Sequence, residues 1–313
     1  MKIRQADLLQ AGKYATSIRI LGVILLVLLI SACSRTRRVV IPPVTGTATN
    51  TYHHGKFVWF DLLTHDVEAV KNFYGTLLGW EFDGGMRNDP LYTTITLDGT
   101  PIGGIVYKEQ KSAASETHWI SYLSVPDVDQ AVEMVRAKGG TVYEEPIDYP
   151  KRGRLAIVAD PQGALLAFVK AEGGDPNDRN EPVKHFWLWN ELLTQDAEAS
   201  VSFYEDLIGY QHESLPSSRD GIDYYVLKIE DKSRGGIVKA PWETMPSNWL
   251  PYVLVDDPAP LVAQVTGLGG RVLLAPDKNV RNGSVAVIVD PTGGAIAIQK
   301  WPFEEDNEME GAE

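Results

Sequence analysis

The sequence predicts an α+β fold built from two tandem copies of one domain. The first observation is an internal repeat: Phe57–Trp80 reads FVWFDLLTHDVEAVKNFYGTLLGW, and Trp187–Tyr210 reads WLWNELLTQDAEASVSFYEDLIGY, at a constant offset of 130 residues. The second is that each copy passes from strand-like sequence to apolar residues at helical spacing, and then to short strand-like segments. The third is the length of the repeated unit, about 115 residues, which suits a domain rather than a solenoid repeat.

The first half of the first copy predicts the order βαβββ. Strand-like sequence covers 57–63, Asp66 is a helix N-cap because its carboxylate can accept a free first-turn N–H, and Gly79 ends the helix. Three short strands are predicted near 80–82, 92–97 and 102–107, between turn residues.

The second half repeats this order. A strand is predicted at 119–125, followed by a helix that Asp127 or Asp129 caps and that Gly139-Gly140 ends. Strands follow at 141–144, 155–159 and 164–169, and Asp160-Pro161-Gln162-Gly163 forms the last turn. The repeat places domain one at 56–171, a linker at 172–184 and domain two at 185–302.

The N-terminus predicts export and anchoring. Basic residues precede an apolar run, Ile20–Ile30, which is followed by Ser31-Ala32-Cys33. This is the order of a secretory signal, and the run is shorter than the ~20 residues of a membrane-spanning helix. Residues 30–33 resemble the bacterial lipobox, which implies a signal peptide at 1–33 and a lipidated Cys33. An uncleaved anchor with an incidental cysteine is the alternative. Both place the domains outside the cytoplasm, on a membrane, and Ser34 favours the outer membrane in a Gram-negative cell.

The remaining composition restricts the function. A net charge of −13 argues against a nucleic-acid partner, and a single cysteine excludes an intrachain disulfide. Residues 34–55 lack periodicity and predict a flexible tether, and the acidic tail at 303–313 is expected to be solvated.

Both copies also contain a combination of motifs: T-x-D, then FY-x-x-L-x-G-[WY], V-x-D, a helix ending in Gly-Gly, and D-P-x-G. This combination resembles the vicinal oxygen chelate superfamily, which includes glyoxalase I, bleomycin resistance proteins and extradiol dioxygenases. The resemblance covers 56–170 and 185–301. It implies that each domain pairs two βαβββ modules into one curled mixed sheet, a cup in which the family binds its ligand.

Metal-dependent relatives place His, Gln or Glu on four strands inside the cup. The resemblance assigns those positions here to residues without suitable side chains: Trp59, Gly104, Ile120, Ala167, Trp189, Gly236, Leu250 and Ala297. A metal needs three or four donors, so we expect neither a metal nor another cofactor.

Alternation along the strands predicts what lines the cups instead. If Trp59 faces inward, so do Phe57 and Asp61, and Trp187 and Trp189 follow in the second domain. The candidate ligand-binding residues are Trp59, Asp61, His118, Tyr122, Trp189, Glu191, Asn248 and Tyr252. The alternative is that Trp59 and Trp189 fill a closed core. Asp61 and Glu191 are expected to tie down neighbouring backbone rather than to act in acid–base chemistry, and catalytic residues stay unknown.

Three functions remain open. The leading one is an anchored envelope protein that binds a small apolar or aromatic molecule in metal-free cups, by aromatic stacking. The second is a lyase, isomerase or dioxygenase with a displaced metal site. The third is a structural or interaction protein of the envelope. The tandem domains can pair within one chain, which favours a monomer.

Overall fold

A computed structural model of the chain describes residues 41–84, 91–109, 117–215 and 224–302. The predicted signal peptide with Cys33, the start of the tether and the acidic tail lie outside the described residues. Within the described ranges, none of the helices has both the length and the apolar character needed to cross a membrane.

The first domain contains two βαβββ modules in sequence. Its first module comprises β1 (Phe57–Thr64), α1 (Val67–Leu78), β2 (Glu81–Gly84), β3 (Tyr92–Leu97) and β4 (Thr100–Tyr107). Its second module comprises β5 (His118–Ser124), α2 (Val128–Ala137), β6 (Thr141–Tyr149), β7 (Gly153–Ala159) and β8 (Leu165–Ala171).

The second domain repeats the same order. Its first module comprises β9 (Trp187–Thr194), α3 (Ala197–Ile208), β10 (Gln211–Leu215), β11 (Tyr224–Ile229) and β12 (Lys232–Lys239). Its second module comprises β13 (Asn248–Leu254), α4 (Pro258–Val265), β14 (Arg271–Leu274), β15 (Val285–Val289) and β16 (Ala295–Gln299), with a short 3-10 helix after α4 and another before β15.

Each domain forms one eight-stranded mixed sheet. The strand order is β2-β3-β4-β1-β5-β8-β7-β6 in the first and β10-β11-β12-β9-β13-β16-β15-β14 in the second. The first strand of each module lies at the centre: β1 pairs with β4 in parallel and with β5 antiparallel. The predicted α+β class and the two tandem domains are confirmed.

The helix ends follow the predicted local chemistry. Asp66 accepts the Ala69 N–H at 3.0 Å, and Gly79 takes a left-handed conformation with φ of 67°. Of the two candidate caps of α2, Asp127 is the one used, because its carboxylate accepts the Gln130 N–H at 3.0 Å. Short-range hydrogen bonds therefore set these boundaries.

The two main hydrophobic cores lie between the domains rather than inside them. One core joins α1 and the strands beside it to the second module of domain two, and includes Phe73, Tyr74, Ile288 and Ile296. The other core joins the second module of domain one mainly to the first module of domain two. Helix α1 contacts α4, and α2 contacts α3. The domains therefore bury each other's helical faces.

The segment before β1 differs from the predicted tether. Val44 is 4% exposed and packs in the first domain, while the Thr49 N–H donates to Gly173 O at 2.8 Å. The His53 N–H donates to Asp175 Oδ2 at 2.7 Å. This packing could not be predicted from the polar composition of the segment, because most of the contacts are hydrogen bonds from its backbone to residues far away in the sequence.

Candidate functional site

The sheet face opposite the helices of domain one holds a compact polar cluster, which we call the first cup: Trp59, Asp61, Tyr92, Tyr122 and Arg152. Asp61 is its centre. The carboxylate accepts from Trp59 Nε1 at 2.7 Å, from the Tyr92 hydroxyl at 2.8 Å and from the Tyr122 hydroxyl at 2.7 Å. Burial, and then the charge of Asp61, raise the pKa of both tyrosines well above the usual range. Asp61 therefore holds three side chains in place through hydrogen bonds, whereas we expected it to bind neighbouring backbone groups.

Arg152 completes the first cup, and sequence reasoning missed it. It lies in the loop before β7, is fully buried, and places its guanidinium carbon 4.2 Å from the ring centroid of Trp59. Its Nη2 donates a long hydrogen bond of 3.4 Å to the Tyr92 hydroxyl. Its Nε and Nη1 have no acceptor among the described residues. A loop arginine beside other basic residues gives no sequence signal of burial.

The second cup is the matching face of domain two: Trp189, Glu191, Tyr224, Tyr252 and Arg281. Glu191 accepts from the Tyr252 hydroxyl at 2.8 Å and forms an ion pair with Arg281. Trp189 Nε1 donates to the Tyr224 hydroxyl at 2.9 Å. Burial, and then Glu191, raise the pKa of Tyr252. Trp189 is only half-buried, whereas Trp59 is 1% exposed, so the second cup is the more accessible one.

Two aromatic residues expected in the cups point the other way. A β-bulge at Val58 shifts the register of β1, so Phe57 pairs with Leu123 while Trp59 pairs with Tyr122. The extra residue reverses the alternation, and Phe57 packs against Trp249 in the interdomain core. Trp187 likewise packs on Phe60 in the interdomain core, with ring centroids 4.3 Å apart and the rings tilted by 33°. The expectation that Phe57 and Trp187 face the cups is therefore wrong.

The other candidates occupy the edges of the cups. His118 pairs with Leu63 at the start of β5, and Asn248 pairs with Leu193 at the start of β13. Both are half-buried. The structure thus brings together Trp59, Asp61 and Tyr122 in one cup, and Trp189, Glu191 and Tyr252 in the other.

Comparison with known proteins shows the family. A model described as the Glyoxalase/Bleomycin resistance protein/Dioxygenase superfamily matches residues 56–168. CFP32 of Mycobacterium tuberculosis, provisionally named as a glyoxylase, is 31% identical over 255 residues, which cover 80% of this chain and 96% of that protein. The chain belongs to this superfamily.

A further relative and two solved structures are also similar to this chain. The anthracycline biosynthesis protein DauV of Streptomyces sp. strain C5 is 28% identical over 78% of this chain and 92% of its own length. The Mn(II)-bound glyoxalase of Novosphingobium aromaticivorans shares the fold, with a TM-score of 0.53 and 17% identity over 79% of this chain and 82% of that one. The 2,2',3-trihydroxybiphenyl 1,2-dioxygenase of Sphingomonas wittichii also scores 0.53, at 13% identity, covering 78% and 90% of the two chains.

The residues at the superfamily's metal positions do not fit a metal. A Cβ placed on Gly104 would lie 2.1 Å from the Tyr92 hydroxyl, and one on Gly236 would lie 2.1 Å from the Tyr224 hydroxyl. The tyrosine hydroxyls thus occupy the space in which a longer side chain at either glycine would have to lie. Elsewhere in the described ranges, no three His, Cys, Asp or Glu side chains come together as a metal site. Each cup supplies one carboxylate, and a divalent ion needs more donors.

Proposed function

We propose that the chain is a membrane-anchored, extracytoplasmic member of this superfamily that binds a small apolar or aromatic molecule in its cups without a metal. The observation that carries the proposal is the composition of the cup floor. Indole and phenol rings surround one carboxylate and one guanidinium, where metal-dependent relatives gather donor side chains. An apolar concavity with a few fixed polar groups is the usual form of a small-molecule site.

The accessibility of the second cup supports binding. Its apolar wall is largely half-buried, unlike the closed wall of the first cup. The half-buried members are Leu188, Trp189, Leu193, Leu274, Val287 and Ala295. An aromatic pair adds about 0.5–1.5 kcal/mol beyond the area that it buries, so a flat ligand on Trp189 gains affinity. The relative DauV is named for the biosynthesis of anthracyclines, which are aromatic molecules, and this supports an aromatic ligand.

The anchor follows from the N-terminal sequence. Because Val44 packs on domain one, fewer residues separate Cys33 from the folded part of the chain than the predicted tether has. From Cys33 to Val44 a fully extended chain spans at most roughly 40 Å, so a lipid on Cys33 would hold the domains close to the membrane. The mutual burial of the helical faces supports a monomer, and the negative charge argues against nucleic acid.

The anchor is tested by labelling cells with radioactive palmitate and separating membranes from soluble proteins. We expect the wild-type chain to be labelled and to sediment with membranes, and Cys33→Ser to be unlabelled. A wild-type chain that takes up no label contradicts lipidation at Cys33.

The binding function is tested on the full chain in detergent micelles. Tryptophan fluorescence is followed during titration with a panel of aromatic compounds, and metal content is measured by elemental analysis after chelator treatment. We expect saturable quenching by at least one compound, weakened by Trp189→Ala but not by Trp242→Ala, since Trp242 is 62% exposed and outside the cups. A stoichiometric divalent metal would instead favour the enzyme that the name of CFP32 suggests.

A further inference from the structure

The two cups differ in the pairing of their arginine: Arg152 is fully buried, and Arg281 is half-buried. In the second cup, Arg281 forms an ion pair with Glu191 and donates to Gln299 Oε1 at 2.8 Å. In the first cup, the position of Glu191 is taken by Asp61, which is one methylene shorter. Among the described residues, Arg152 makes no ion pair with Asp61 or with any other carboxylate. Each cup thus holds one guanidinium, and within the described residues only that of Arg281 is paired with a carboxylate.

The unpaired guanidinium needs an acceptor. Arg152 is fully buried, and its Nε and Nη1 lack acceptors in the described part of the chain. A buried charge is normally paired, and a buried N–H without a partner is costly. One face of the Arg152 guanidinium lies on the ring of Trp59, so the N–H groups at the edge of the guanidinium remain for hydrogen bonding. A planar guanidinium edge matches the paired oxygens of a carboxylate or a phosphate, and of these two the singly charged carboxylate suits a site lined by apolar side chains.

The walls around Arg152 define the rest of the ligand. Apolar side chains form the first-cup wall, including Ile120, Leu155 and Val169. The oxygens of Asp61 are already taken by three donors, so that carboxylate offers little to a ligand amine. A ligand that suits this environment has an apolar body and one anionic oxygen group.

The segment before β1 covers the same wall. Val44 is buried in the cluster that contains Trp59 and Tyr122, so this segment closes the first cup. A molecule bound at Arg152 would be shielded from water by these buried side chains. Shielding strengthens a charge-assisted hydrogen bond, because the local dielectric is low.

We propose that the first cup binds a small monocarboxylate with an apolar or aromatic body, and that Arg152 recognises its carboxylate. This inference rests on the proposed binding function. It adds that the ligand is anionic, that Arg152 recognises its charge, and that the ligand binds in domain one.

The test compares benzoate with its neutral isostere benzamide, on the full chain in detergent micelles, by isothermal titration calorimetry. We expect benzoate to bind at least tenfold more tightly than benzamide, because only benzoate compensates the guanidinium charge. Arg152→Met should abolish this preference. Arg136→Met is the matched control: Arg136 is a surface residue paired with Glu145, and its loss should leave the preference unchanged.

A second variant keeps every charge in place. Asp61→Glu lengthens the carboxylate to the length found in the second cup, so it should reach Arg152 and pair with it. We expect this variant to fold, as shown by a single cooperative urea transition at a midpoint lowered by the added methylene, and to lose benzoate binding at least tenfold. Asp61→Glu therefore tests the role of Arg152 in benzoate binding even if Arg152→Met does not fold.

The outcomes separate this inference from the proposed function. Equal binding of benzoate and benzamide, wild-type affinity for benzoate in both variants, or no benzoate binding by the wild-type chain would each overturn the role of Arg152. The fluorescence titration with neutral aromatic compounds then tells whether the cups bind ligands at all. Only the loss of both signals contradicts the proposed function as well.

Discussion

Removing the hydroxyl of Tyr74 should destabilise both domains together. The ring lies on α1 and is fully buried, and its hydroxyl donates to Asp290 Oδ2 of the other domain at 3.1 Å. The Tyr74 hydroxyl oxygen also accepts a hydrogen bond from Trp119 Nε1 at 3.2 Å. Tyr74→Phe keeps the ring and leaves a buried carboxylate oxygen and a buried indole N–H without this partner.

The magnitude follows from these contacts. A hydrogen bond to a charged group contributes about 1.5–3 kcal/mol, and a stranded buried N–H costs about 1–3 kcal/mol. Asp290 Oδ1 keeps its donors from the turn at Thr292, Gly293 and Gly294, which limits the loss. We therefore expect a fall of about 2–3 kcal/mol in the free energy of unfolding, or roughly 4–12 °C in Tm for a fold of this size.

Urea unfolding of the full chain in micelles, followed by tryptophan fluorescence and by far-ultraviolet circular dichroism, measures this loss. Both signals should shift together as one transition, because the cores lie between the domains. Tyr107→Phe is the control, since that ring is 40% exposed on β4, and it should change stability by less than about 0.5 kcal/mol. A Tyr74→Phe chain as stable as wild type, or a separate transition for each domain, would refute the reasoning.

Three further predictions concern pH, the metal position and the segment before β1. Burial acts to raise the pKa of Asp178, but its hydrogen bonds with an arginine and a lysine outweigh burial and hold that pKa well below the usual range. This stabilisation is present above the unfolded pKa, near 4, and is lost as the pH falls through the lower folded value, so urea midpoints should show Asp178→Asn to be less acid-sensitive than wild type below about pH 4. Gly104→Ala should lose roughly 1–3 kcal/mol in the same assay, because the new methyl group meets a fixed tyrosine hydroxyl, whereas Gly267→Ala, in open space, should not. Val44→Ala should lose about 1.6 kcal/mol for two buried methyl groups, while Val183→Ala, at a position 37% exposed, stays near wild type; equal stabilities would contradict the packing of this segment.

Part of the candidate site could be predicted from the sequence, and part could not. Alternation along the central strands brought Trp59 together with Asp61, because side chains two residues apart share a face. The same rule failed at Phe57, where the bulge at Val58 adds one residue and reverses the face. Arg152 and Arg281 were not predicted, since Arg152 reaches its cup from a loop and Arg281 from a short 3-10 helix, and neither segment has a period that sequence reasoning can use.

The sequence by itself determined the duplication and the order of strands and helices. These features depend on local chemistry: the spacing of apolar residues, a carboxylate that caps a helix, a glycine that ends one. Only the tertiary structure decided which surfaces meet. The cores form between modules of different domains, and the hydroxyl of Tyr74 finds Asp290 in the other domain. Such contacts depend on side chains far apart in the chain, and on whether a carboxylate one methylene shorter still reaches its arginine.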